Sequence, residues 1–492
     1  MKQSQRIAKN IIVMLSAEMI VFGLNLLIVI LIARYLGVAG FGKYSFIIAF
    51  VGLFQMIADS GLSNIMIREV AVDKDNLKYQ LGVTKSLIWV FSIIAFLLIV
   101  LIINIINPEV EVRNTTYIMG IALLATVHTV GYSSIFRAME EMEYNAVGLV
   151  LHKIFLISLV MFVIKHRLGL VEIAIAYLIS NISQWFFYYV IISRRYLKPR
   201  MIINIKAWRY FISEAVPIGI ASILRKISWQ VDILILSAIG TVASVGLFSA
   251  PYKIIQSINL LPHIMSMPLF PLFSRLARTS YRELFQAYEK SLKFMYLLSI
   301  PIVVILATLS NSIVSLLFGT KFVNSYIALQ ILSLTIIFLF PAAQFIYLFS
   351  ALGKQRLYTI SSFVSLAVNI ILDFILIPRF DFIGACIGTL IAEILLFSIG
   401  VYFAKSMNEN ISFIRASWKP VVSGILMWAA LYQFRDSSIY WMLCGVFASI
   451  LVYILSTIIL KTFSKNELHT IKESIRFIRK VPAVSTAGGE AK

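Results

Sequence analysis

Long apolar runs, each bounded by charged residues or by Gly/Pro clusters, recur along the whole chain and leave no stretch that could build a soluble domain. They lie at about 11–33, 44–67, 86–106, 116–139, 146–164 and 171–193, then at 211–236, 242–272, 290–310, 325–352, 357–377 and 382–404, and last at 417–434 and 439–460. About 20 apolar residues in a helix cross a hydrocarbon core of about 30 Å, so each run is a candidate span. With no water there to take up backbone N–H and C=O groups, each run must be a helix. Composition agrees: 60% of the residues are hydrophobic and 13% charged, against roughly 45–50% and about 25% in soluble domains. Mean hydropathy is +0.91. A soluble enzyme, a disordered chain and a single-anchor protein are excluded. The predicted fold is an all-α polytopic membrane protein with about 14 transmembrane helices. The run at 11–33 is too long for a cleavable leader and reads as the first span.

The net charge of +20 would point to nucleic acid in a soluble chain. With the N-terminus inside, 31 of the 43 Lys and Arg residues fall on the cytoplasmic side and 8 on the other, among them Arg34, Lys43, Lys165, Lys321 and Arg435. This positive-inside bias puts both termini in the cytoplasm and most basic charge against anionic head groups. Membrane lipids, not nucleic acid, are the expected partners. Residues 461–492 carry Leu468, Ile471, Ile475 and Ile478 at helical spacing among basic residues, the pattern of an amphipathic tail lying on the cytoplasmic leaflet.

Gly42-Lys-Tyr-Ser45 opens the second span, and Gly246-Leu-Phe-Ser249 stands at the matching place in the eighth. Leu178, Ile179 and Ile182 likewise match Leu390, Ile391 and Ile394. The chain therefore reads as a first lobe over 1–200, a second over 201–405, two further spans over 406–460, and the tail. Six spans per lobe give both halves the same orientation, as in transporters whose two bundles rock about a midplane site.

Four basic residues fall inside the spans: Lys153, Arg225, Lys226 and Lys253. Ionisable groups in lipid are costly and normally face a cavity or a partner. Ser222, Arg225, Trp229 and Asp232 share one face of span seven, and Ser249, Lys253 and Gln256 form a stripe in span eight. Together these imply a cationic cavity for an anionic ligand, with Arg225, Lys253, Lys226, Lys153, Gln256 and Trp229 as candidate substrate contacts. An internal salt bridge between Arg225 and Asp232, a snorkelling Lys226 and a core-packed Trp229 are the plainer alternatives. Pro217, Pro251, Pro262, Pro268 and Pro271 should kink the same two spans. Among the acids, Glu18 and Asp59 fall at similar depth, and Ser365, Asn369 and Asp373 recur every four residues, with Glu393 in the next span. Glu18, Asp59, Asn369 and Asp373 are candidate ion-coupling groups for Na⁺ or H⁺, with helix–helix hydrogen bonding as the alternative.

Cys386 and Cys444 stand alone in apolar runs, and His128 and His263 have no companions at metal-ligand spacing. No phosphate loop, nucleophile elbow or zinc motif is present. No catalytic residue, cofactor or metal site is expected, and the chain does not read as an enzyme or an ATP-driven pump.

Four stretches carry a family resemblance: Ala33-Arg-Tyr-Leu-Gly-Val-Ala-Gly-Phe-Gly-Lys-Tyr-Ser-Phe46; Asp59-Ser-Gly-Leu-Ser63 with Arg68-Glu69; Pro217 through Asp232 with Val245-Gly-Leu-Phe-Ser-Ala250 and Pro271; and Asn369-Ile-Ile-Leu-Asp373 with Leu376-Ile-Pro-Arg-Phe380 and Ile383-Gly-Ala385. In this order the chain resembles the polysaccharide (Wzx-type) flippases of the multidrug/oligosaccharidyl-lipid/polysaccharide exporter superfamily. It departs where the family commonly has a Gly, near Asp381-Phe382. The resemblance implies fourteen spans in two six-helix lobes around a central cavity, plus two C-terminal helices. It implies transfer of a polyprenyl-diphosphate-linked oligosaccharide across the cytoplasmic (inner) membrane, with Arg225 and Lys253 as diphosphate or acidic-sugar contacts. A polysaccharide polymerase and assembly proteins are the partners such a role would have. A cation-coupled multidrug exporter and a peptidoglycan-precursor (lipid II) flippase of the same superfamily are the alternatives.

Overall fold

The protein's structure, a computed structural model, describes residues 3–73, 75–106, 108–407 and 411–462, with the side chains of all of these except 3–8, 11–12, 216–223 and 225. The described residues form helices and no strand. The first half contributes α1 (Gln3–Asp59), α2 (Leu62–Val72), α3 (Leu77–Ile106), α4 (Val110–Ala138), α5 (Met142–Lys165) and α6 (Leu170–Arg195). The second opens with α7 (Ile205–Ser228), α8 (Val231–Ile239), α9 (Val242–Ile258), α10 (Leu260–Ser266), α11 (Leu269–Thr279) and α12 (Tyr281–Thr308). It continues with α13 (Ser310–Phe318), a 3-10 turn Thr320–Ser325, α14 (Tyr326–Ala351), α15 (Gln355–Phe380) and α16 (Phe382–Met407), and α17 (Phe413–Tyr432) and α18 (Ile439–Ile459) follow. Ten helical stretches among the described residues are long and apolar enough to cross a membrane.

The expected spans map onto these helices unevenly, for physical reasons. Spans one and two are joined within α1, whose 57 residues would reach about 85 Å as one rod. The chain reverses at Gly37, at φ 68° and ψ −175°. Both ends of this hairpin return to one face. There Asn10 donates to the carbonyl of Glu140 at 2.8 Å, and Met66 and Val70 of α2 pack with Tyr132, Ile135 and Phe136 of α4. Span seven is split into α7 and α8 at Trp229–Gln230. Span eight becomes α9, α10 and α11, ending near Ile258 and Met267. Those are the residues four before Pro262 and Pro271, whose missing N–H groups leave carbonyls there unpaired. Pro251 sits inside α9 without a break. Pro217 lies outside the described side chains, and the amphipathic tail lies outside the described residues altogether.

Two lobes form, with α17 and α18 packed outside the second. Met427 and Tyr453 cluster with Ile300 of α12, and the Tyr453 hydroxyl donates to the carbonyl of Leu297 at 3.1 Å. Leu97, Leu101, Phe447 and Leu455 stay exposed on the outside, where acyl chains are their solvent. The connections expected on the face opposite the N-terminus do meet there. Lys43 pairs with Glu109 at 2.5 Å and Glu111 at 2.9 Å. Asp381, in the stretch where the sequence departs from the family pattern, adopts φ 52°, and its carboxylate accepts from Ser244.

On that face the lobes close on each other. A Cβ at Gly42 would lie 2.0 Å from the carbonyl oxygen of Val242, and one at Gly246 would lie 2.1 Å from that of Val38. The two contacts mirror each other, each glycine facing the carbonyl four residues before its counterpart. The hydrogen side chain at both positions lets α1 and α9 touch backbone to backbone. Arg34 of the first lobe adds a latch by donating to the carbonyl of Leu317, at 2.7 Å, and to that of Leu316, at the end of α13. A larger residue must separate the helices, because a backbone carbonyl cannot rotate away; overpacking of this kind costs about 1–3 kcal/mol. In a Cys444→Ser, Ser257→Cys background, adding Gly246→Leu is expected to raise labelling of the introduced cavity thiol by an impermeant maleimide, applied from this face, several-fold. Unchanged labelling would show that the glycine contact does not hold the seal.

Candidate functional site

Beneath the seal, a cavity of about 470 Å³ opens between the lobes. Its upper wall holds Val29, Tyr44 and Tyr177, and its lower wall Glu18 and Leu260, so it runs from the seal toward the face carrying the N-terminus. The Tyr44 and Tyr177 hydroxyls lie 2.7 Å apart. From the second lobe, α9 presents Lys253, Gln256 and Ser257. Lys253 Nζ donates to Gln256 Oε1 at 2.9 Å. Across from them on α1 stand Glu18 and Asn25. The cavity therefore has one cationic wall, a facing carboxylate, and hydroxyl and amide groups between.

The sequence-derived candidates separate into three places. Lys253 and Gln256 line the central cavity, and so does Glu18, which the sequence groups with the acids. Lys153 is half-buried on α5 and is not among the residues lining this cavity; Lys226 is exposed. Arg225 lies in α7, outside the described side chains. Asp59 ends α1, where its carboxylate accepts from Ser63 across the turn into α2.

Asn369 and Asp373 belong to a second site, inside the second lobe. Their helix, α15, packs against α8 and α16 and meets Asp232 near the start of α8 and Thr389 of α16. Asp373 and Asn369 are close enough to Asp232 to interact with it electrostatically. Thr389 Oγ1 is 3.1 Å from Asp232 Oδ2 and 2.9 Å from the carbonyl of Ala385; its single proton serves one of them at a time. Asp232 Oδ1, both carboxylate oxygens of Asp373 and Asn369 Nδ2 are buried without hydrogen-bond partners among the described residues. Trp229, Tyr252 and Glu393 close a small adjoining cavity. The Trp229 and Tyr252 rings are tilted with centroids 6.0 Å apart, so Trp229 is engaged in packing.

Two neighbouring buried carboxylates cannot both remain ionised in a low dielectric without compensation. A shared proton or a small cation would supply it, and carboxylate, hydroxyl and carbonyl oxygens suit a hard cation. Reading span seven as one continuous helix put Asp232 on the Arg225 face. After the break at Trp229–Gln230, Asp232 stands in α8 beside Asn369 and Asp373 of α15 and Thr389 of α16. Thr389 was missed; its place one turn before Glu393 was the available signal.

A family model described as polysaccharide biosynthesis protein matches residues 7–277. A putative O-antigen transporter of Shigella flexneri is 22% identical over 381 residues, covering 74% of this chain and 89% of that protein. The capsular polysaccharide biosynthesis protein CapF of Staphylococcus aureus is 22% identical over 409 residues, covering 81% and 99%. A probable low-salt glycan biosynthesis flippase, Agl15 of Haloferax volcanii, is 22% identical over 244 residues, covering 47% and 50%. Among solved structures, the lipid II flippase MurJ in an inward closed conformation superposes with a TM-score of 0.74 at 18% identity, over 92% of this chain and 98% of that one. An inward-facing multidrug resistance MATE family transporter gives 0.66 at 17% identity, over 82% and 100%.

If the carboxylate pair takes a cation, Na⁺ should stabilise the detergent-solubilised protein by mass action, by about 2.7 kcal/mol at a hundred times Kd. The melting temperature is expected to rise in NaCl over choline chloride, and Asp232→Asn or Asp373→Asn is expected to abolish the rise. A wild-type response to pH without one to Na⁺ would assign the site a proton. Indifference to both would make the cluster structural.

Proposed function

The chain belongs to the polysaccharide biosynthesis protein family, and on that premise we propose that it is an alternating-access flippase of the multidrug/oligosaccharidyl-lipid/polysaccharide exporter superfamily. Its cargo is a polyprenyl-diphosphate-linked oligosaccharide, moved from the cytoplasmic to the outer face of the inner membrane for surface polysaccharide or glycan assembly. The observation that carries this reading is the inter-lobe cavity with Lys253 in its wall, sealed above by Gly42 and Gly246 and running toward the N-terminal face. The excess of basic residues on that face supports placing it in the cytoplasm. The names of the relatives support a glycan cargo.

Stripping water from a diphosphate is costly, and a fixed cation offsets that cost through a charge-assisted hydrogen bond. Lys253 therefore draws the head group in, with Arg225 of α7 as a second cation. Tyr44, Tyr177 and Asn25 offer hydroxyl and amide partners to sugar rings, while the polyprenyl chain stays in the bilayer. Cargo that binds more tightly to the outward-open state than to the inward-open one shifts the population toward it. For release, α1 and α9 must part at the two glycines and Arg34 must leave its carbonyls. Na⁺ or H⁺ at Asp232 and Asp373 supplies the coupling. The cationic wall disfavours the organic cations a multidrug exporter would carry. Rescue of cells depleted of their lipid II flippase would instead support the peptidoglycan-precursor reading.

Cells lacking the protein are expected to accumulate lipid-linked oligosaccharide on the cytoplasmic leaflet. Lys253→Met should reduce its export about tenfold or more, the worth of one hydrogen bond to a charged group. Full export by both Lys253→Met and Arg225→Ala would sink the diphosphate reading.

A further inference from the structure

The split seventh span is tied to a different lobe on each side of its break. Its inner piece, α7, and the linker before it are fastened to the first lobe. Arg68 of α2 pairs with Glu214 at 2.9 Å. Trp208 Nε1 donates to Ser86 Oγ at 2.9 Å, the amide of Ile202 donates to the carbonyl of Gly82 at 3.0 Å, and Asn204 Nδ2 donates to the Tyr79 hydroxyl at 3.1 Å. The outer piece, α8, is fastened to the second lobe through Asp232 and Thr389. Although α8 also packs against α1, and α7 against α15, these polar ties favour taking up relative motion of the lobes at Trp229–Gln230, where the helix is already interrupted.

One side chain from the cavity wall reaches this break. Gln256 Nε2 donates to the carbonyl of Trp229 at 3.1 Å, while its Oε1 accepts from Lys253 Nζ at 2.9 Å. Asp232 stands three residues beyond that carbonyl. We propose that Gln256 is a positioning residue that couples the two sites: it links the cargo-binding ammonium of Lys253 to the break in span seven, and through the break to the carboxylate pair. An arriving diphosphate competes with Gln256 for the ammonium protons. The carboxamide is then free to turn, and its hold on the Trp229 carbonyl changes with it. In the other direction, a cation that fixes Asp232 fixes α8, the Trp229 carbonyl and, through Gln256, the place of Lys253. Linkage requires the two effects to be equal. The inference rests on the diphosphate and cation roles proposed above, and it assigns the connection between them to a single amide.

The test uses the full-length protein in nanodiscs and farnesyl diphosphate as a water-soluble probe. Its Kd is measured in NaCl and in choline chloride at equal ionic strength, and again at acidic and alkaline pH in choline chloride. The quantity read is the ratio of the two Kd values, whatever the absolute affinity of a variant. Wild type is expected to show a ratio in the range of about 5- to 150-fold for the coupling ion, the usual span of allosteric coupling. Gln256→Leu, which loses both links, should bring the ratio to about one. Gln256→Glu should do the same although it still accepts from Lys253, because it can no longer donate to the Trp229 carbonyl; a residue that merely held Lys253 in place would leave that ratio unchanged. Retention of the wild-type ratio in Gln256→Glu would overturn the inference, as would a wild-type ratio of one. Failure of the underlying reading looks different: wild type would not bind farnesyl diphosphate, or Lys253→Met would bind it as well as wild type does.

Discussion

Hydrocarbon offers no hydrogen bonds, so every backbone group and every charge placed in it must find its partner within the protein. That constraint organises this molecule. It makes the spans helical, sends most of the basic residues to the two faces, and makes each remaining charge informative. Where a helix must break inside the membrane, the freed carbonyls are taken by side chains. Gln256 at Trp229 and Arg34 at the end of α13 are two such cases, one below the seal and one at it. The same constraint makes the Asp232–Asp373 pair stand out, since three of its four carboxylate oxygens are buried without a hydrogen-bond partner among the described residues. A shared proton or a small cation would offset the repulsion in such a pair.

The central cavity and the second-lobe pocket share a wall. Lys253 and Gln256 project from α9 into the first, while Tyr252, their neighbour on the same helix, closes the second. A helix with a cationic face toward one compartment and an aromatic face toward another would give a proposed cargo and a proposed ion a common element. Such an element would let the two bias the same pair of global states, which is what coupling between them requires.

The fold class was legible because hydropathy and charge asymmetry act along the sequence alone. The pairing of Gly42 with Gly246 was visible as a repeat, and the structure gives it a use: both glycines permit the same backbone contact. What could not be read depended on breaks. A continuous span seven puts Asp232 with Arg225, and no spacing rule announces that Trp229–Gln230 interrupts the helix. The proline positions announced where span eight would divide, since a missing N–H acts four residues upstream. The turn between spans one and two was legible as the glycine-bearing stretch after Ala33, and the structure narrows the reversal to a single residue, Gly37. Asn369 and Asp373 could be found because they share one face of one helix. Asp232 and Thr389 come from helices far away in sequence, and only tertiary packing brings them together.

The docked linker before α7 has a consequence for the architecture of the gene product. By sequence the lobes divide near residue 200, yet the inner half of span seven is held by Ser86, Glu69's neighbour Arg68 and the backbone of Gly82. A chain cut at the linker would therefore separate α7 from the fragment that holds it. Two such fragments would have to reassemble through that strap as well as through the lobe interface. The inner half of span seven thus travels with the first lobe and the outer half with the second, so the joint between the two halves of the chain is shared by both.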